Sequence, residues 1–120
     1  MTNQKRRVIA IDFDGTICTN KYPYIGDPNP DIINRAIFEQ KRLGACLVLW
    51  TCRTGQLLDN AILACAMWGL EFDYINETPT FRIAEYHGDD PRKISADEYW
   101  DDRAVAVKDG HFRGRKEASA

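Results

Sequence analysis

Four aspartates and a threonine each stand at the end of a short apolar run. Asp12 and Asp14 follow residues 8–11, Thr51 follows residues 46–50, and Asp101 and Asp102 follow residues 98–100. Lys93 lies a short way upstream of the last pair. If the runs are parallel strands of one sheet, these side chains converge beyond the carboxyl ends of the strands, where ligand crevices of open α/β sheets lie. Four clustered carboxylates cannot all stay ionised without a counter-charge. A divalent cation with oxygen ligands supplies one, and with no thiol or imidazole in the set, Mg²⁺ is the best fit. Such a cation, a hydroxyl at Thr51 and an ammonium at Lys93 together suit phosphoryl transfer, where positioning and charge neutralisation carry most of the catalysis.

The elements that must hold these residues are legible from periodicity. Val8-Ile9-Ala10-Ile11 and Leu47-Val48-Leu49-Trp50 are continuous apolar runs of the kind found in buried parallel strands. Residues 72–75 and 98–100 read as shorter strands, residues 105–107 as a possible fifth, and the tail beyond Gly110 as loose. Asn29-Pro30 opens a helix with Ile33, Ala36 and Ile37 on its apolar face and Gly44 as its stop. Thr54 caps a second helix, ended by Gly69, with Leu58, Ala61, Ile62 and Cys65 on its apolar face. Residues 15–30 read as loop, and residues 76–92 have room for one short helix. Strands alternating with helices imply an α/β fold: a Rossmann-like three-layer sandwich around a mainly parallel sheet.

The chain has 120 residues, enough for one domain and no more. The expected ordered core is about residues 7–108, between basic tails carrying Lys5, Arg6 and Arg7 at one end and Arg113, Arg115 and Lys116 at the other. A net charge of −2 gives no strong field for nucleic acid or an anionic membrane, so a nucleic-acid partner is left open and a membrane is not expected. No apolar stretch approaches the roughly 20 residues of a membrane-spanning helix. Cys18, Cys46, Cys52 and Cys65 include no C-x-x-C pair, and there is no secretory leader pattern, which together favour reduced thiols and a cytoplasmic protein.

Asp12-Phe13-Asp14-Gly15-Thr16 after an apolar strand resembles the first motif of the haloacid dehalogenase-like (HAD) superfamily. Leu49-Trp50-Thr51 resembles its second motif, Lys93 its third and Asp101-Asp102 its fourth, in the family's order and over residues 8–107. The resemblance implies a phosphomonoester hydrolase with Asp12 as nucleophile, forming an aspartyl-phosphate, and Asp14 as acid and then base. It implies Mg²⁺ bound by the Asp12 carboxylate, the Asp14 main-chain carbonyl and Asp101, with Asp102 close by. Thr51 and Lys93 would hold the phosphoryl group, with Gly15, Thr16, Cys52 and Arg53 against the substrate. An aspartate at position 14 marks members that turn over. The acid role also asks Asp14 to hold a proton near neutral pH.

Between residues 16 and 47, and again between Ile75 and Lys93, the chain is too short for the cap domain many members carry. The site is therefore expected to be open to a small-molecule or macromolecular phosphate, unless a second protomer in a homo-oligomer closes it. The nearest local cover is the loop at residues 17–26, with Tyr22 and Tyr24. Arg53 and Arg103 beside the motifs can each bind a substrate anion or form a structural ion pair. Two other classes remain open: a phospho-accepting signalling module, and a non-catalytic binding protein on the same fold.

Overall fold

The computed structural model describes residues 6–113. Four strands form one parallel sheet: β1 (Val8–Ile11), β2 (Cys46–Leu49), β3 (Tyr74–Ile75) and β4 (Glu98–Trp100), in the order β3-β2-β1-β4. The α/β class and the Rossmann-like parallel sheet match the expectation from the sequence. Side chains alternate along the two central strands. Ile9, Ile11, Leu47 and Leu49 face one side, where α1 (Pro30–Lys41) and α2 (Gly55–Met67) pack through Ile33, Ala36, Ala61 and Cys65. Val8, Ala10, Cys46 and Val48 face the other. That second layer is thin: Ile94, Phe81 of α3 (Thr80–Ile83), and the aromatic pair Trp50 and Tyr99 cover it.

Register decides what the carboxyl edge presents. Ile11 pairs with Leu49 on one side and Trp100 on the other, and Leu49 pairs with Ile75. The first residues past the strands, Asp12, Asp101 and Asn76, therefore end level with one another. Continuation of the ladder holds them: the Asp12 N–H donates to the Trp100 carbonyl at 2.8 Å, and the Asn76 N–H donates to the Leu49 carbonyl at 2.7 Å.

At the opposite edge, aspartates serve the backbone. Asp73 Oδ2 accepts from the Leu47 N–H and Asp97 Oδ2 from the Val8 N–H, each at 2.8 Å, which satisfies donors where the parallel ladder runs out. Arg6 pairs with Asp73, and Arg82 with Asp97. Arg7 reaches Glu98 at 2.7 Å and the buried Glu39 of α1 at 3.0 Å. Arg6 and Arg7 are thus part of the fold rather than a solvated tail, because carboxylates at the strand starts hold them. Lys5, Arg115 and Lys116 lie outside the described residues.

The C-terminal part departs from expectation. Residues 106–108 do not extend the sheet. As β5 (Ala106–Lys108) they pair antiparallel with β6 (His111–Arg113), so the stretch expected to be loose is a hairpin. Asp109 and Gly110 at its tip have φ of +53° and +80°, the left-handed values of the two-residue turn that Asp-Gly favours. Among the described residues there is no cap domain, and no helix is long and apolar enough to cross a membrane. All four cysteines are free. Burial pushes the Cys46 thiol up to about 11 and the Cys65 thiol up to about 12, so both act as small hydrophobes.

Because β1 and β2 are fully buried on both faces, the sheet is where stability concentrates. Ile11→Ala is expected to cost about 3 kcal/mol, whereas Leu63→Ala on the exposed face of α2 should stay within about 0.5 kcal/mol. Urea denaturation of the two variants checks this; equal losses would contradict the assignment of the core.

Candidate functional site

Beyond the carboxyl ends of β1, β2 and β4 lies a cleft of about 390 Å³, lined by Asp12, Asp14, Asn20, Tyr22, Thr51, Cys52, Arg53, Asp101 and Arg103. Carboxylate oxygens of Asp12, Asp101 and Asp102 all come within 4.8 Å of one another. Two small residues set this spacing. The Thr16 hydroxyl donates to Asp12 Oδ2 at 3.3 Å and accepts from the Asp102 N–H at 3.1 Å, tying the end of β1 to the turn after β4. Gly15 has φ +91°, a left-handed conformation that favours glycine, and a Cβ there would sit 2.4 Å from Asp102 Oδ2, so a side chain at this position would displace the Asp102 carboxylate. Gly15 and Thr16, expected against substrate, position the acidic group.

The crowding has an electrostatic consequence. Burial, then the negative charge of Asp101, then a hydrogen bond and charge from Asp102 push the Asp12 carboxyl up to about 7 from its ordinary 3.8. A hard divalent cation fits an all-oxygen set with this excess of negative charge. Asp14 supplies no carboxylate to the group of three; any part it has there falls to its main chain.

Asp14 is held by Arg53. The guanidinium donates from Nε to Oδ2 at 2.8 Å and from Nη2 to Oδ1 at 2.7 Å, a bidentate pair with Arg53 almost fully buried. Its remaining donors reach the carbonyls of Pro23, Tyr24 and Leu57. The rings of Phe13 and Tyr22 lie 5.0 and 5.2 Å from its centre. All five N–H groups of Arg53 are therefore used. The residue fastens the 17–26 loop, expected from the sequence to cover the site, against Asp14. Arg53, expected against substrate, lines the cleft with all its donors on protein acceptors. Each Asp14 oxygen accepts one of these bonds and keeps a second lone pair.

On the β2 side, Asn76 Oδ1 accepts from the Thr51 N–H at 2.8 Å, and Thr51 Oγ1 accepts from the Arg53 N–H at 3.1 Å, leaving the hydroxyl proton free to donate into the cleft. Asn76 sits at φ +51°, a conformation asparagine tolerates well. Asn76 and Asn20 have no role in the reading of the sequence, although an asparagine at the end of an apolar strand, level with the motif residues, is a readable signal. Cys52 is exposed and lines the cleft. Lys93 does not line it; its ammonium lies 5.3 Å from the centre of the Tyr99 ring.

No protein-family model matches the chain, and no curated protein matches it. A solved structure does: that of a conserved protein coded by a locus from Bacteroides thetaiotaomicron, with 38% sequence identity and a TM-score of 0.71 over 88% of this chain and 84% of that one. The chain belongs to the same family as that conserved protein. The shared architecture is the α/β sheet that brings Asp12 and Asp101 together.

The raised Asp12 carboxyl links charge to stability. Between its ordinary value of 3.8 and about 7, the folded chain holds a proton that the unfolded chain has released. Without a divalent cation, stability is therefore expected to fall as pH rises through this window. Thermal unfolding in a chelator at pH 5 and pH 7 checks this. The native protein should lose more of its Tm over that interval than Asp12→Asn, and added Mg²⁺ should restore more at pH 7. Identical pH dependence in the two proteins would contradict the electrostatic description.

Proposed function

We propose that the protein is a Mg²⁺-dependent phosphomonoester hydrolase of the HAD type, acting through an aspartyl-phosphate on Asp12. The observation that carries this reading is the meeting of Asp12, Asp101 and Asp102, with carboxylate oxygens within 4.8 Å, in an open cleft that Thr51 also lines. Mg²⁺ would be held by Asp12 and Asp101, with Asp102 beside them, and when bound it supplies positive charge against the phosphoryl oxygens.

In this mechanism an Asp12 oxygen attacks phosphorus and the ester P–O bond breaks. Asp14 gives a proton to the departing alkoxide. Asp14 then takes a proton from water as the water attacks the phosphorus of the acyl phosphate. The Asp12–phosphorus bond breaks, Asp12 returns as carboxylate and inorganic phosphate leaves. The Thr51 hydroxyl donates to a phosphoryl oxygen, and Thr16 keeps the Asp12 carboxylate in line. The cleft volume suits a small phosphate ester or the exposed phosphate of a larger molecule.

One observation favours a second reading. Arg53 holds Asp14 on both oxygens and so restricts its reach toward an attacking water; if the second half-reaction is slow for that reason, the chain behaves as a phospho-acceptor. Phosphate release from a panel of phosphate esters, with and without Mg²⁺, separates the two. Mg²⁺-dependent turnover lowered roughly 10³-fold or more by Asp12→Asn is expected of the hydrolase. A single stoichiometric release without turnover would favour the phospho-acceptor, and no Mg²⁺-dependent release would overturn both.

A further inference from the structure

A side-chain cation on the transferred group adds to what a metal supplies in stabilising phosphoryl transfer. Among the described residues, two cations line this cleft, Arg53 and Arg103. Arg53 has no donor left, since Asp14 and three carbonyls take all five N–H groups. Lys93 lies over the Tyr99 ring and does not line the cleft. Arg103 is different. It is exposed, it lines the cleft, and its guanidinium has no hydrogen bond, ion pair or ring contact among the described residues.

The Arg103 main chain is nevertheless fixed. Its N–H donates to Asp101 Oδ1 at 2.9 Å, and the turn closes with the Ala104 N–H on the Asp101 carbonyl at 3.3 Å. The turn that carries two of the clustered carboxylates thus also carries an unspent guanidinium at the same cleft. A guanidinium matches two phosphoryl oxygens at once, which an ammonium does not.

We infer that Arg103, rather than Lys93 or Arg53, is the side chain that grips the phosphoryl group of the substrate, an inference that rests on the phosphatase reading of the same site. Removing the side chain leaves the main-chain N–H and its bond to Asp101 in place. The metal group and the anion grip are therefore separable by mutation.

The test compares native protein with Arg103→Ala, Arg103→Lys and Lys93→Ala, using the exposed Arg92→Ala as a control for charge loss. Two quantities are read: KM for p-nitrophenyl phosphate, and binding of inorganic phosphate in Mg²⁺ by calorimetry. Arg103→Ala is expected to raise KM and weaken phosphate roughly 10- to 100-fold, the span of one or two charge-assisted hydrogen bonds. The Mg²⁺ concentration for half-activity should change less than about threefold, since Asp101 keeps its bond. Arg103→Lys should recover part of the loss, and Lys93→Ala should cost less than Arg103→Ala. The inference is overturned if Lys93→Ala weakens phosphate more than Arg103→Ala does, or if Arg103→Ala behaves as Arg92→Ala. If native protein turns over no ester, the hydrolase reading fails by itself and phosphate binding still decides: loss in Arg103→Ala upholds the grip, and no binding to native protein overturns it.

Discussion

Three carboxylates at the end of a buried sheet repel one another, and the rest of the site is arranged around that repulsion. Asp12 and Asp101 are brought level because β1 pairs in register with β4, and Asp102 is drawn in because Gly15 has no side chain and Thr16 bonds to both turns. The fold supplies ample apolar burial to hold this arrangement, with β1 and β2 fully covered. The same chain shows how aspartates look when their role is structural. Asp73 and Asp97 accept backbone N–H groups and meet arginines at the opposite edge. At the carboxyl edge the carboxylates face one another instead, and a proton or a cation must make up the difference.

Arg53 is the second organising centre. A buried guanidinium is tolerated only when its charge is paired and its donors are filled. Asp14 supplies the charge, and Pro23, Tyr24 and Leu57 supply the remaining acceptors. Loop, acid and α2 are therefore one unit. Removing Asp14 leaves an uncompensated buried charge, which typically costs about 3–5 kcal/mol. A variant at Asp14 reports on folding as well as on the proton transfer proposed for it, whereas Arg103 has no buried partner to lose.

Much of this was legible in the sequence, and the illegible parts have physical reasons. Strand ends at Asp12, Thr51 and Asp101 follow from apolar runs, and parallel pairing then gathers them. The positioning work of Thr16 and Gly15 was not legible, because it depends on how closely two turns approach. Nor was the fate of Arg53, whose acceptors come from loop carbonyls some 30 positions away in sequence. Lys93 was placed by spacing alone, and a long side chain outside regular structure takes its direction from its neighbours, here Tyr99. The hairpin was readable: Asp109-Gly110 between β-forming residues is a strong turn signal, and the apolar reading of residues 105–107 as another sheet strand passed over it.

In the mechanism we propose, Asp12 carries the phosphoryl group during turnover. Rapid acid quenching during hydrolysis in Mg²⁺, followed by peptide mass mapping, reads this directly. The expected result is phosphate on the peptide containing Asp12, released by hydroxylamine as an acyl phosphate is, and lost in Asp12→Asn. Sustained turnover with no phosphate on that peptide at any quench time would contradict the account and leave water as the attacking group.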